Sequence, residues 1–252
     1  LSRQAMADLE SNNALVAVSH ATRDFHIAQG VSATRVHVVY NGVDPESFKP
    51  GIATGSLQRE LGIPATSRCI LFTGQIGLRK GLDTWLQAAK IIARTKPDCH
   101  FVVVGTRQSG KQESIEYEER LVKQSHSGVL GGRVHWLGER TDVARLMQES
   151  SILMHCANQE PLGRVLLEAF ASGLPAVATN VGGTPEIFSG PVLSDLLCPP
   201  KEPGTVAVKA IELLEDSGLY RQVSAQQREV AICKFPVDRN AATLTEIYHS
   251  MT

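Results

Sequence analysis

Seven short apolar runs rich in β-branched residues alternate with segments of helical period, and this alternation limits the fold more than any other feature of the chain. The runs are Leu15–Ser19, Val36–Tyr40, Cys69–Thr73, His100–Val104, Val134–Leu137, Ile152–Cys156 and Ala176–Thr179. Each is continuously apolar, as a strand buried on both faces requires, whereas a half-exposed strand would alternate with period two. Between most of them lie Leu82–Thr95, Glu113–Ser127, Asp142–Glu149 and Arg164–Ser172, whose apolar residues recur at helical spacing. Strand and helix in alternation predict an α/β fold: a Rossmann-like, doubly wound parallel sheet with helices on both faces. After Pro203 the strands stop, and the spacing predicts three helices, Thr205–Glu215, Leu219–Cys233 and, past Phe235-Pro236, Arg239–Ser250.

The polar stretch from Asn41 to Gly55 has no apolar period and places a domain boundary there. We expect three parts: residues 1–45, a main domain over 46–235, and a terminal helix in 236–252. The chain begins at Leu1 without a methionine, inside what reads as a helix over Leu1–Asn12, so the natural start is expected upstream. With 42% hydrophobic and 20% charged residues among 252, the composition is that of an ordinary globular protein. A formal charge of −1 provides no global field for a polyanion, and no basic stripe interleaved with aromatics suggests nucleic acid. No apolar run reaches the ~18 residues of a membrane span, and no signal pattern opens the chain. Five widely spaced cysteines without a Cys-x-x-Cys pair read as reduced core thiols, which points to the cytoplasm.

In a doubly wound sheet, ligands bind beyond the carboxyl ends of the strands, where helix starts present free N–H groups. The turn after Cys69–Thr73 reads Gly74-Gln75-Ile76-Gly77-Leu78-Arg79-Lys80-Gly81 and puts two cations at a helix start. The helix dipole disfavours cations there, so either Arg79 and Lys80 point to water or an anion lies between them. The turn after Ile152–Cys156 carries Glu160 before a helix and Glu168 within it. At ~1.5 Å per residue, Glu168 lies roughly 7–8 Å from the helix start near Gly163, so the two carboxylates could meet opposite ends of one elongated ligand. Glu168 is the only acid among Val165, Leu166, Leu167, Ala169, Phe170 and Ala171, and it needs a hydrogen-bond donor. Arg164, four residues earlier, could supply one, and so could a sugar diol. The third turn, Asn180–Glu186, has paired glycines at 182 and 183. It is either a plain flexible turn with an acid near a short helix start or a close backbone approach to a ligand. His155-Cys156 is the only histidine-cysteine pair near these turns, too few ligands for a metal, and no cofactor is expected. Serine-hydrolase, dinucleotide, phosphate-loop and zinc-helix motifs are absent.

Together these segments resemble family 4 of the retaining glycosyltransferases, which have the GT-B fold. The similarity rests on Val39–Asp44, Leu71–Gly81, the Glu-x7-Glu block Glu160–Ala169 with Ala171–Pro175, and Gly182–Glu186. The resemblance implies that residues 1–45 are the end of an acceptor-binding domain with its linker, that 46–235 binds a nucleotide-sugar donor, and that the last helix packs on the missing first domain. Lys80 would contact the donor diphosphate. The amides of Leu162, Gly163, Arg164 and Val165 would face the sugar and distal phosphate, and Glu168 the ribose. Glu160 would lie beside the transferred sugar as an orienting group rather than a covalent nucleophile, and the base near Leu137-Gly138-Glu139.

No metal is implied, because the helix end and the cations stabilise the leaving group. The family usually has arginine where Gln75 stands, and Arg79 could deliver the same charge. No turn of this chain offers an acceptor pocket, so the acceptor is unknown and transfer by the chain alone is not expected. Two other readings keep the fold: a domain that senses a nucleotide or sugar phosphate without catalysis, and a sugar-nucleotide epimerase or phosphorylase, which the Glu-x7-Glu block disfavours.

Overall fold

The computed structural model describes residues 3–250. The first elements are helix α1 (Arg3–Glu10), strand β1 (Leu15–Ala17), helix α2 (His20–Ala28) and strand β2 (Val36–Val38). The expected helix over Leu1–Asn12 is therefore α1, with Leu1 outside the described residues. Strands β1 and β2 pair in parallel as a two-stranded sheet around a small cluster of Ala17, Val31 and Val36. Helix α2, unforeseen in the apolar period, is set by its first residue: Ser19 caps it by accepting from the Thr22 amide at 3.0 Å.

Past the linker come α3 (Ser56–Leu61), β3 (Arg68–Thr73), α4 (Leu82–Thr95), β4 (Cys99–Val104), α5 (Gln112–Ser125), β5 (Val134–Gly138), α6 (Val143–Glu149), β6 (Ile152–His155), α7 (Arg164–Ala171) and β7 (Ala176–Thr179). The chain continues through α8 (Thr184–Ile187), α9 (Pro191–Ser194), β8 (Leu197–Cys198), α10 (Pro203–Glu215), α11 (Ser217–Lys234) and α12 (Val237–Ser250). The strands from β3 to β8 form one six-stranded parallel sheet in the order β5-β4-β3-β6-β7-β8. Strand β8 escaped the sequence reading because two residues carry no period; its pairing with Ala178 and Thr179 makes it a strand.

The sheet is buried by helices that bring large rings to it. Trp85 of α4 meets Phe72 of β3 and Phe101 of β4 edge-on, at centroid distances of 5.9 and 6.0 Å. Helix α4 packs against α5 and α10, and α7 against α11; Phe170 of α7 also meets Phe188, just past α8, at 5.2 Å. Such edge-to-face pairs add about 0.5–1.5 kcal/mol each beyond area burial. Four cysteines, Cys69, Cys99, Cys156 and Cys198, are buried as free thiols, and only Cys233 on α11 is exposed. Burial pushes the thiols of Cys99 and Cys198 up to about 11 and that of Cys69 to about 12.

The order of strands reverses between β3 and β6: β4 and β5 follow on one side, β7 and β8 on the other. The crevice of such a sheet opens there, beyond the ends of these two strands. At the linker, Val43 exchanges backbone hydrogen bonds with Phe235 and Val237, which ties the start of α12 to the chain leaving the small sheet. Among the described residues no helix is long and apolar enough to cross a membrane.

Candidate functional site

Two turns make the crevice, and they are fastened to each other. The turn after β3 contains a single 3-10 turn, Leu78–Lys80, so Arg79 and Lys80 sit just before α4 rather than in its first turn. The backbone amides of Asn158 and Gln159, in the turn after β6, donate to the Arg79 carbonyl at 2.8 and 3.3 Å, and the Asn158 side-chain amide donates to the Leu78 carbonyl at 2.8 Å. This interlock faces Lys80 toward Glu160, and Lys80 Nζ donates to Glu160 Oε2 at 2.5 Å. His155, the last residue of β6, places its Nε2 2.9 Å from the same oxygen.

Glu160 is only 7% exposed. Burial pushes its carboxyl up, but the hydrogen bond and charge of His155 and the Lys80 ammonium outweigh that and hold it at about 2. An ionised carboxylate at this depth needs such partners.

The third turn settles the choice between a flexible turn and a close approach to a ligand differently from both. Its glycines approach the backbone of the Glu160 turn: the Gly183 amide donates to the Glu160 carbonyl at 3.0 Å, and a Cβ on Gly182, whose φ is +53°, would fall 2.0 Å from that oxygen. Glu186 caps α2 rather than its own short helix, accepting from the amides of His20 and Ala21 at 3.0 and 2.9 Å and from Tyr40 Oη at 2.8 Å. Ser19 Oγ donates to the Pro161 carbonyl at 2.6 Å. The small sheet is thus fixed to the turn that carries Glu160.

Helix α7 begins at Gly163, whose φ of +105° bends the chain sharply into the helix, and no side chain caps this end. The first amides of a helix lack intrahelical acceptors, so this end presents a cluster of free donors with positive partial charge. One turn inside, Glu168 lies 3.5 Å from Arg164 Nη2, with side-chain exposures of 18% and 69%. Burial raises the Glu168 carboxyl above its usual range and the Arg164 charge only partly offsets this. The i,i+4 pair therefore exists, but it is long and its cation is in water, leaving Glu168 short of donors.

A cavity of about 360 Å³ brings together Gln75, Arg79, Lys80, Glu160, Leu162, Gly163, Arg164, Val165 and Glu168. Glu139 lines an adjoining hollow of about 160 Å³ that shares Thr73, Gly74 and Gln75 with the first. Gly138 lines neither; its carbonyl accepts from the Gly105 amide at 2.7 Å. Arg79 is exposed and forms no ion pair among the described residues. His155 was not foreseen as a site residue, because its bond to Glu160 forms only when the turn between them closes back on β6. Among the described residues, no three or more His, Cys, Asp or Glu side chains gather as a metal site would require.

Comparison with known proteins places the chain in a family. A family model described as glycosyl transferases group 1 matches residues 55–230, and one described as glycosyltransferase family 4 matches residues 2–47. The chain belongs to the group 1 glycosyl transferases. Among curated relatives, it is 28% identical over 244 residues to N-acetyl-alpha-D-glucosaminyl L-malate synthase of Bacillus anthracis, covering 96% of this chain and 61% of that protein. It is 30% identical over 250 residues to D-inositol 3-phosphate glycosyltransferase of Xylanimonas cellulosilytica, covering 96% and 58%. Among solved structures, Anabaena Alr3699/HepE in complex with UDP-glucose superposes with a TM-score of 0.86 at 27% identity, over 94% of this chain and 64% of that one. The chain thus spans about three fifths of the length of these relatives, and its fold is that of the GT-B glycosyltransferases.

Proposed function

We propose that this chain forms the donor side of a retaining glycosyltransferase that moves a sugar from a nucleoside-diphosphate donor to an acceptor hydroxyl without a metal. The observation that carries the reading is the convergence of two cations, an uncapped helix start and a donor-poor carboxylate on one cavity. That HepE was solved with UDP-glucose supports a nucleotide-sugar ligand.

In this reading the diphosphate lies against Lys80, Arg79 and the amides of Leu162–Val165. These donors gain most as the bond from the anomeric carbon to the phosphate oxygen breaks and negative charge collects on the leaving diphosphate. Glu168 accepts from the ribose hydroxyls, and the base lies toward Gly138 and Glu139. Glu160 sits beside the transferred sugar. With Oε2 already taken by Lys80 and His155, it acts as an orienting and electrostatic group rather than a nucleophile. The new bond forms from the acceptor oxygen to the anomeric carbon as the acceptor hydroxyl gives its proton to the departing diphosphate. A second wall to close this open cleft is proposed to come from a partner domain, since sequestering two substrates supplies much of the rate.

Calorimetry with nucleoside diphosphates and their sugars should give heat at millimolar ligand, and silence from every nucleotide would end this reading. Transfer assays with the complete protein, following the anomeric proton of the product, should show the donor's configuration retained. Binding without transfer would favour a sensing domain instead.

A further inference from the structure

We propose that binding of the donor diphosphate draws a proton from solvent onto His155, so that a histidine buried behind the site couples donor affinity to pH. The coupling rests on the donor reading above. His155 ends β6, is 3% exposed and does not line the donor cavity, so a ligand acts on it only through the groups between them. Those groups are in contact: Lys80 Nζ, which does line the cavity, and His155 Nε2 lie 2.5 and 2.9 Å from the same oxygen of Glu160.

The bonding sets the starting state of the ring. Glu160 is held ionised and a carboxylate only accepts, so Nε2 carries a hydrogen and a further proton enters at Nδ1. With the site empty, the Lys80 ammonium already balances Glu160, and a second cation on the same oxygen would give the buried trio a net positive charge. A nucleoside-diphosphate sugar brings two negative charges to Lys80. The ammonium has three N–H groups, so it either leaves Glu160 or is shared with a phosphate, and in both cases less of its charge remains for the carboxylate. Glu160 is too buried to turn to water for a replacement. The other side chain bonded to it that can become a cation is His155, and the added proton restores the balance.

Other ionisable groups around the ring do not take its place. On β7, Ala178 pairs with His155, and the Thr179 hydroxyl donates to the His155 carbonyl at 3.4 Å. The thiols of Cys156, next in sequence, and of Cys198 on β8 are driven up by burial and stay neutral. Asp83 on α4, whose charge acts on Cys156, accepts from Tyr117 Oη at 3.0 Å. Arg79, Arg164 and Glu168 line the cavity with Lys80. Glu168, raised by burial, would release a proton on gaining hydroxyl donors, which is the opposite sign.

The test is calorimetry of the full chain with UDP-, GDP- and ADP-glucose, whose diester diphosphates have no group titrating near neutral pH. Runs at about pH 6 to 8 in buffers of different ionisation enthalpy count the protons exchanged. Binding should take up protons, at most about one per ligand, and affinity should fall by up to about tenfold per unit rise in pH over the same range. His155→Gln keeps an N–H for Glu160 but cannot take the proton, so uptake should vanish and affinity should no longer fall with pH. Should that variant fail to fold, nitrogen NMR of the histidine rings in the unsubstituted chain decides. The ring that Lys80→Met shifts most without ligand identifies His155, and donor should move it toward the protonated pattern. Heat without proton uptake, uptake that survives His155→Gln, or a ring unmoved by donor would overturn the coupling and leave the donor reading standing. Silence from all three nucleotide sugars would remove the donor reading and the coupling with it.

Discussion

Glu160 and Glu168 stand eight residues apart on either side of one helix start and line one cavity, yet the protein treats them oppositely. Glu160 is buried with a lysine and a histidine on one oxygen and held acidic; Glu168 is nearly as buried, with one distant, solvated arginine, and is pushed the other way. The first carboxylate is satisfied by the protein alone, so a ligand must share or replace its partners. The second is left wanting, and under the proposed function a ligand's hydroxyls would supply what folding did not. A site can therefore hold one group in place and keep another receptive within a single turn and helix.

The largest test of that contrast is on the satisfied side. Lys80→Met leaves Glu160 buried with His155 alone, and removal of one member of a buried pair should lower unfolding free energy by about 3 kcal/mol, read by urea denaturation. A loss below about 0.5 kcal/mol would mean the pair behaves as a surface one.

On the receptive side, Glu168→Gln keeps the volume and removes the charge-assisted bond, so nucleoside diphosphate affinity should fall by roughly 1.5–3 kcal/mol with the melting temperature not lowered. Unchanged affinity with a lower melting temperature would make Glu168 a structural partner of Arg164.

The pH dependence should also split. Glu160 has a folded pKa near 2, below its unfolded value of about 4.3, so its stabilising contribution is present above about pH 4.3 and is lost as pH falls toward 2. Glu168 has a raised folded pKa, so its contribution is present below the unfolded value and is lost as pH rises through the folded one. Relative to wild type, Glu160→Gln should remove stability chiefly above pH 4.3, and Glu168→Gln should recover some there; parallel melting curves against pH for both variants would erase the distinction.

The smallest effect belongs to Arg164→Ala. Its guanidinium is 69% exposed and 3.5 Å from Glu168, so the change in stability should stay within about 0.5 kcal/mol. A larger loss in denaturant would show the pair holding the helix.

What could be read in the sequence follows from the range of the interactions. Helix α4 was expected at Leu82–Thr95 and has those bounds, because its apolar period is local and long. The approach of Lys80, Glu160 and Glu168 was expected from strand-to-helix turns in a doubly wound sheet. Three features were not legible. The His155–Glu160 bond spans only five residues but depends on the path of an irregular turn. The glycines at 182 and 183 signalled close approach, yet only the fold reveals that Glu160 and Pro161 are what they approach. Glu186 looked like an acid at its own helix start and instead caps α2, 165 residues away in sequence from Ala21.

The burial of four cysteines beside the exposure of one has a practical consequence. The four have thiolates made scarce by their surroundings, whereas Cys233 lies open on α11, away from the crevice. The native chain thus has one natural handle for a thiol-directed fluorophore or spin label, and the number of labels attached, one folded and five unfolded, doubles as a measure of how much of the population is intact.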